Sequence, residues 1–116
     1  AAYVARVIPW NKRNEAVRGA GLVINTTSLG MKGQPPLEIS LEGLDSAAIA
    51  YDIVYNPLHT PLLQQAAKNG IRCVTGIGML LHQARPGFAA WFGQHPQVTK
   101  ELEALLGSPE IVANPA

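Results

Sequence analysis

The sequence predicts an α/β fold, a doubly wound parallel sheet with helices on both faces. Three observations predict it. Short apolar runs alternate with helical segments in the order β, α, β, loop, β, α, β, α, α. The links are short, so consecutive elements pack as neighbours. The runs at 21–27 and 47–55 are nearly continuous in apolar residues, as strands covered on both faces are.

Each element follows from local chemistry. Residues 4–8 (VARVI) are β-branched and read as a strand that Pro9 ends. Residues 11–19 read as a short helix with Asn11 as N-cap and Gly19 as stop. GLVINTT (21–27) is a buried strand, followed by the Gly/Pro-rich loop SLGMKGQPP (28–36). Leu41 and Leu44 suggest one helical turn. AAIAYDIVY (47–55) is a strand whose one charge is Asp52, and Asn56-Pro57 stops it. Residues 61–69 form a helix with Pro61 in its first turn and Gly70 at its end. Residues 71–75 are a short strand. A long helix runs from Gly76 to Gly93, with Pro86 giving a kink or a break. A last helix covers about 98–106, and the tail after it is expected to fray.

Composition narrows the function classes. The chain has 116 residues, 47% hydrophobic and 15% charged, with a net charge of +1. That suits one packed domain and excludes a disordered or strongly basic nucleic-acid-binding chain. No apolar run reaches the roughly 18 residues of a membrane span. No secretory signal opens the chain and Cys73 is the lone cysteine, so a cytoplasmic location is expected. The first residue is Ala, and AAYVARVIPW reads as the middle of a longer protein. Cys73 reads as a small buried hydrophobe. His59, His82 and His95 have no metal-ligand spacing and read as surface or packing residues, so no metal is expected.

In parallel sheets ligands sit beyond the C-terminal strand ends. That rule selects three segments. Asn25-Thr26-Thr27-Ser28-Leu29-Gly30-Met31 offers hydroxyl and N–H donors to a ribose or an amide; an ordinary polar turn explains it as well. In Tyr51-Asp52-Ile53-Val54-Tyr55, alternation separates Asp52 from the other face. Tyr55 either presents its hydroxyl to a substrate oxygen or is an interfacial aromatic. Asp52 reads as fixing a loop by hydrogen bonds. In Gly76-Ile77-Gly78-Met79-Leu80-Leu81-His82-Gln83-Ala84, an apolar arc joins Ile77, Leu80, Leu81, Ala84, Phe88 and Trp91. Met79 and Gln83 lie together opposite it. Gln83 suits a polyol and Met79 a flat ring, or they are a solvent-facing Gln and a gap-filling Met.

Together these blocks, with Pro57, Thr60 and Pro61-Leu62-Leu63, resemble shikimate dehydrogenase from about residue 5 to about 106. The resemblance implies an NADPH-dependent oxidoreductase that reduces 3-dehydroshikimate to shikimate in aromatic amino-acid biosynthesis. It implies that residues 1–116 are the C-terminal half of a Rossmann-type NADP-binding domain. The terminal helices would fall at about 76–106, and the N-terminal substrate domain would lie outside the chain. By the same resemblance Asn25, Thr26, Ile53, Gly76 and Met79 bind cofactor, and Tyr55 and Gln83 bind substrate. The family's catalytic Lys and Asp match no residue here. No G-x-G-x-x-G phosphate loop occurs in the sequence, nor the motif that reads the 2′-phosphate.

The expectation is a fragment, inactive alone, lacking the first two strands of its sheet. Residues 4–8 would be the third strand, parted from its native neighbours. The edge of 21–27 should then pair with another chain, as in a homodimer, or residues 1–19 should rearrange to cover it. Two alternatives stand beside this. One is a quinate/shikimate dehydrogenase using NAD. The other is a non-catalytic module that self-associates through its sheet edge.

Overall fold

The computed structural model describes residues 4–107. Three of the apolar runs become strands: β1 (Leu22–Asn25), β2 (Ile49–Asp52) and β3 (Arg72–Val74). They form one parallel sheet in the order β1-β2-β3. Leu22 pairs with Ile49 and Asn25 with Asp52; Ile49 pairs in turn with Arg72 and Tyr51 with Val74. All three strands therefore end on the same side. The four helices are α1 (Arg13–Ala16), α2 (Pro61–Lys68), α3 (Ile77–Phe92) and α4 (Lys100–Leu106).

The core lies between the sheet and α2. Leu62, Leu63 and Ala66 of α2 pack with Ala50, Leu37, Leu41 and Ile71. Thr60 caps α2, its Oγ1 accepting from the Leu63 amide at 3.4 Å, and Pro61 follows where a missing N–H costs nothing. Thr99 caps α4 likewise, accepting from the Leu102 amide at 3.1 Å. Among the described residues this cover is one-sided. Val23 and Asn25 of β1 are buried, whereas Leu22 and Ile24 on the opposite face are 53% and 45% exposed. The expected two-faced burial of 21–27 is thus half met: no described helix packs along that second face.

Several expectations change. Residues 4–8 are not a strand; Val4 and Val7 are 86% and 95% exposed. β-branched residues favour extended backbone, but a strand needs a neighbour for its amides, and none is offered here. Nor do residues 4–19 cover β1, to which they make no backbone hydrogen bond among the described residues. They attach to the 38–43 segment: the Gly19 amide donates to Gly43 O at 3.0 Å and the Ser40 amide to Asn14 Oδ1 at 2.9 Å. Asn11 is not an N-cap. A 3-10 turn over Trp10–Lys12 begins after Pro9 and runs into α1, with no side-chain cap. Pro86 does not break α3, which stays continuous, since one lost donor leaves the flanking helical bonds intact. Cys73 is exposed rather than buried, because β3 is an edge strand whose side chains are uncovered. The tail after Gly107 lies outside the described residues.

Candidate functional site

The strand ends are built around one carboxylate. Asp52 and Thr60 are fully buried and Asn25 is 4% exposed. Asp52 accepts from the Val54 amide at 2.9 Å, Asn25 Nδ2 at 3.1 Å and Thr60 Oγ1 at 2.7 Å. Parallel pairing puts Asn25 directly beside Asp52, so the two side chains meet on the α2 face. Asn25 Nδ2 also donates to Leu29 O, and Asn25 Oδ1 accepts from the amide and hydroxyl of Thr27. The ends of β1 and β2 and the start of α2 are thereby one bonded unit. Asp52 fixes a loop, as its position in the sequence suggests.

Above this unit lies a cleft of about 570 Å³. Thr26, Thr27, Ser28, Met31 and Lys32 line it from the segment after β1. Ile53, Val54, Tyr55 and Asn56 line it from the end of β2, and Met79 from α3. The 28–36 loop is fastened to the sheet end. The Lys32 amide donates to Asn56 O at 2.9 Å and the Gly30 amide to Pro35 O at 2.8 Å. Gly30 turns at φ +90°, a conformation that favours glycine, close against Pro61.

Gly76 joins α3 to the sheet. A Cβ there would lie 2.8 Å from Ile53 C and 3.0 Å from Asp52 O, so the helix start rests backbone to backbone on the end of β2. No side chain fits between them.

Four residues singled out in the sequence, Thr26, Ile53, Tyr55 and Met79, therefore line one cleft. Gly76 does not line it but is buried against the backbone of Ile53, which does. Asn25 sits beneath it, with its side-chain donors and acceptor engaged inside the protein. Gln83 is exposed one helical turn past Met79 and does not line the cleft. Thr27, Ser28, Met31, Val54 and Asn56, which the strand-end segments include without an assigned role, also line it, as does Lys32, which those segments leave out. Lys32 lies between Gly30 and Gly33, both at positive φ, and its place at the cleft follows from the bond of its amide to Asn56 O. His59, His82 and His95 are all exposed.

A parallel α/β sheet with a cleft at its C-terminal strand ends, set against a helix that starts on glycine, defines a partial Rossmann-like fold. No family model matches the chain. Its sequence is similar to proteins named as NADP(+) shikimate dehydrogenases. It is 55% identical over 103 residues to the shikimate dehydrogenase (NADP(+)) of Rhodopseudomonas palustris strain TIE-1, covering 87% of this chain and 37% of that protein. For the Rhodospirillum rubrum enzyme the identity is 54% over 101 residues, with 86% and 36% covered. The chain thus spans a little over a third of the length of these relatives. Among solved structures it is similar to quinate dehydrogenase from Corynebacterium glutamicum in complex with NAD. There the TM-score is 0.71 and the identity 28%, over 84% of this chain and 35% of that one. It is also similar to shikimate 5-dehydrogenase from Thermus thermophilus in complex with NADP(H) and shikimate. There the TM-score is 0.62 and the identity 32%, over 79% and 34%.

Proposed function

We propose that this chain forms the nicotinamide side of the active-site cleft of an NADPH-dependent shikimate dehydrogenase. It would be the C-terminal portion of the cofactor domain plus the terminal helices from about residue 76 to 106. The observation that carries the reading is the convergence of Thr26, Ile53, Tyr55 and Met79 on one cleft. The chain in which they converge is 55% identical to such enzymes.

The residues fit one end of a dinucleotide. Gly76 lets the start of α3 rest directly on the backbone of the cleft residue Ile53, and the walls mix hydroxyls with Ile53 and Met79. A flat ring carrying an amide matches that mixture. The sequence carries no glycine-rich loop to cradle the phosphates. When bound, the cofactor supplies the hydride. Thr26 holds and orients its polar edge, supported by Asn25 beneath. Ile53 and Met79 exclude water from the ring. The Tyr55 hydroxyl orients a substrate oxygen, and Gln83 reaches the substrate's hydroxyl or carboxylate side from the next turn of α3. No residue here is assigned to move the proton; that falls to a Lys and Asp pair outside these residues. A cytoplasmic location belongs to the same reading. No described helix is long and apolar enough to cross a membrane. Among the described residues no strand pairs with the outer edge of β1, which supports pairing with a second copy.

A second reading, quinate oxidation with NAD, draws on the similarity to the Corynebacterium enzyme. The test is steady-state turnover by the full-length protein that carries this chain. It is given shikimate or quinate with NADP+ or NAD+, and the reduced nicotinamide is followed by absorbance. The fastest rate is expected with shikimate and NADP+. A preference for quinate and NAD+ selects the second reading, and no turnover with any pair overturns both. The 116 residues alone are expected to give none.

A further inference from the structure

The cleft is lopsided in charge. Its lining holds hydroxyls, apolar side chains, one carboxamide and a single ionised group, the ammonium of Lys32. No carboxylate lines it. Asp52, directly before the Ile53–Asn56 wall, is fully buried and engaged by three donors. Lys32 forms no ion pair among the described residues; the one ion pair there joins Lys12 and Glu15.

The position of Lys32 is held, not loose. Its amide is bonded to Asn56 O, one residue beyond Tyr55. Turns at Gly30 and Gly33, φ +90° and +83°, bracket it, and the Gln34 amide closes onto Met31 O at 2.9 Å. The backbone of Lys32 is thus fixed to the sheet end beside the cleft's tyrosine. An unpaired cation on the rim of a partly apolar cleft draws anions to it, because low-dielectric walls focus its field. An ammonium is a compact point charge that suits a single oxygen on a flexible approach, where a guanidinium would demand a bidentate one.

We propose that Lys32 is an oxyanion-recognition residue of this cleft. The oxyanion is the carboxylate of a small hydroxy acid or a phosphate of the dinucleotide. The inference rests on the functional reading above and adds the residue that selects for negative charge.

The experiment is isothermal titration calorimetry on the full-length protein. Wild type, Lys32→Met and Lys32→Arg are each titrated with shikimate, its methyl ester, NADP+ and nicotinamide riboside. Methionine keeps the apolar stem and removes the charge. Lys32→Met is expected to weaken binding of the anionic ligand about fivefold at low salt, the size of a partly exposed charge contact. Added salt should shrink the difference, and Lys32→Arg, which keeps the charge but not the ammonium's shape, should restore part of it. A loss for shikimate with none for its ester identifies the carboxylate. A loss for NADP+ with none for the riboside identifies the phosphate. Wild-type binding of shikimate and NADP+ that Lys32→Met leaves unchanged overturns the assignment of Lys32 alone. Wild-type protein that binds neither overturns the functional reading and this proposal with it.

Discussion

The α2 side of the sheet and the C-terminal half of α3 are both rich in apolar residues, yet they end in opposite states. On the α2 side, Ala50, Leu62 and Ala66 are at most 1% exposed. On α3, Trp91 and Phe92 are 83% and 64% exposed, with the rings of Phe88 and Phe92 in tilted contact at 4.7 Å between centroids. Composition does not separate them; neighbours do. β1, β2, β3 and α2 follow one another within fifty-odd residues, so each finds its cover nearby. α4 packs near the start of α3, where Gly78 faces Glu103, and among the described residues no other element packs against α3. Among the described residues nothing covers Trp91 and Phe92.

Breaking the covered region should have the largest effect. Asp52→Ala strands the Val54 amide and the Thr60 hydroxyl proton in a dry interior and takes one of two acceptors from Asn25 Nδ2. It is expected to cost ~3 kcal/mol or more, read from the urea midpoint of the 116-residue chain. Next comes Gly76→Ala. The added Cβ must push α3 off the end of β2, costing roughly 1–3 kcal/mol. The same change should loosen ligand binding in the full-length protein by more than its stability loss explains. Thr99→Ala removes the cap of α4 and should cost about 1 kcal/mol. Smallest of all, Trp91→Ser with Phe92→Ser should leave stability within about 0.5 kcal/mol, because these rings are not packed in a core. Fluorescence of an apolar dye bound to the chain should fall sharply in that double variant. A large stability loss there would mean that the aromatic face is covered after all, by a second copy of the chain.

The contrast also sets how much the sequence could show. β1, β2, β3, α2, α3 and α4 were all legible, because periodicity, Thr99, Pro61 and the glycine stops act within a few residues. Residues 4–8 were not: VARVI has the local chemistry of a strand, and only the absence of a partner keeps it from being one. Cys73 failed for the same kind of reason, since burial at an edge strand depends on what lies beyond the edge. The cleft was legible through the rule that strand ends make sites, which led to Thr26, Ile53, Tyr55 and Met79. Lys32 was missed because a lysine in a Gly/Pro-rich loop reads as solvated. Only the bond from its amide to Asn56 O brings it to the cleft.

The carboxylate of Asp52 has a kinetic corollary. One side chain clasps the ends of two strands and the first turn of a helix, so none of the three can fray by itself without releasing the others. In deuterium exchange the Val54 amide, sealed against that carboxylate, should trade its proton only when the whole sheet end opens. It should exchange in step with the Leu63 amide across the helix cap, as a single cooperative unit. The floor of the cleft would then be the slow, unyielding part of the molecule, and whatever moves as ligands come and go must do so around it.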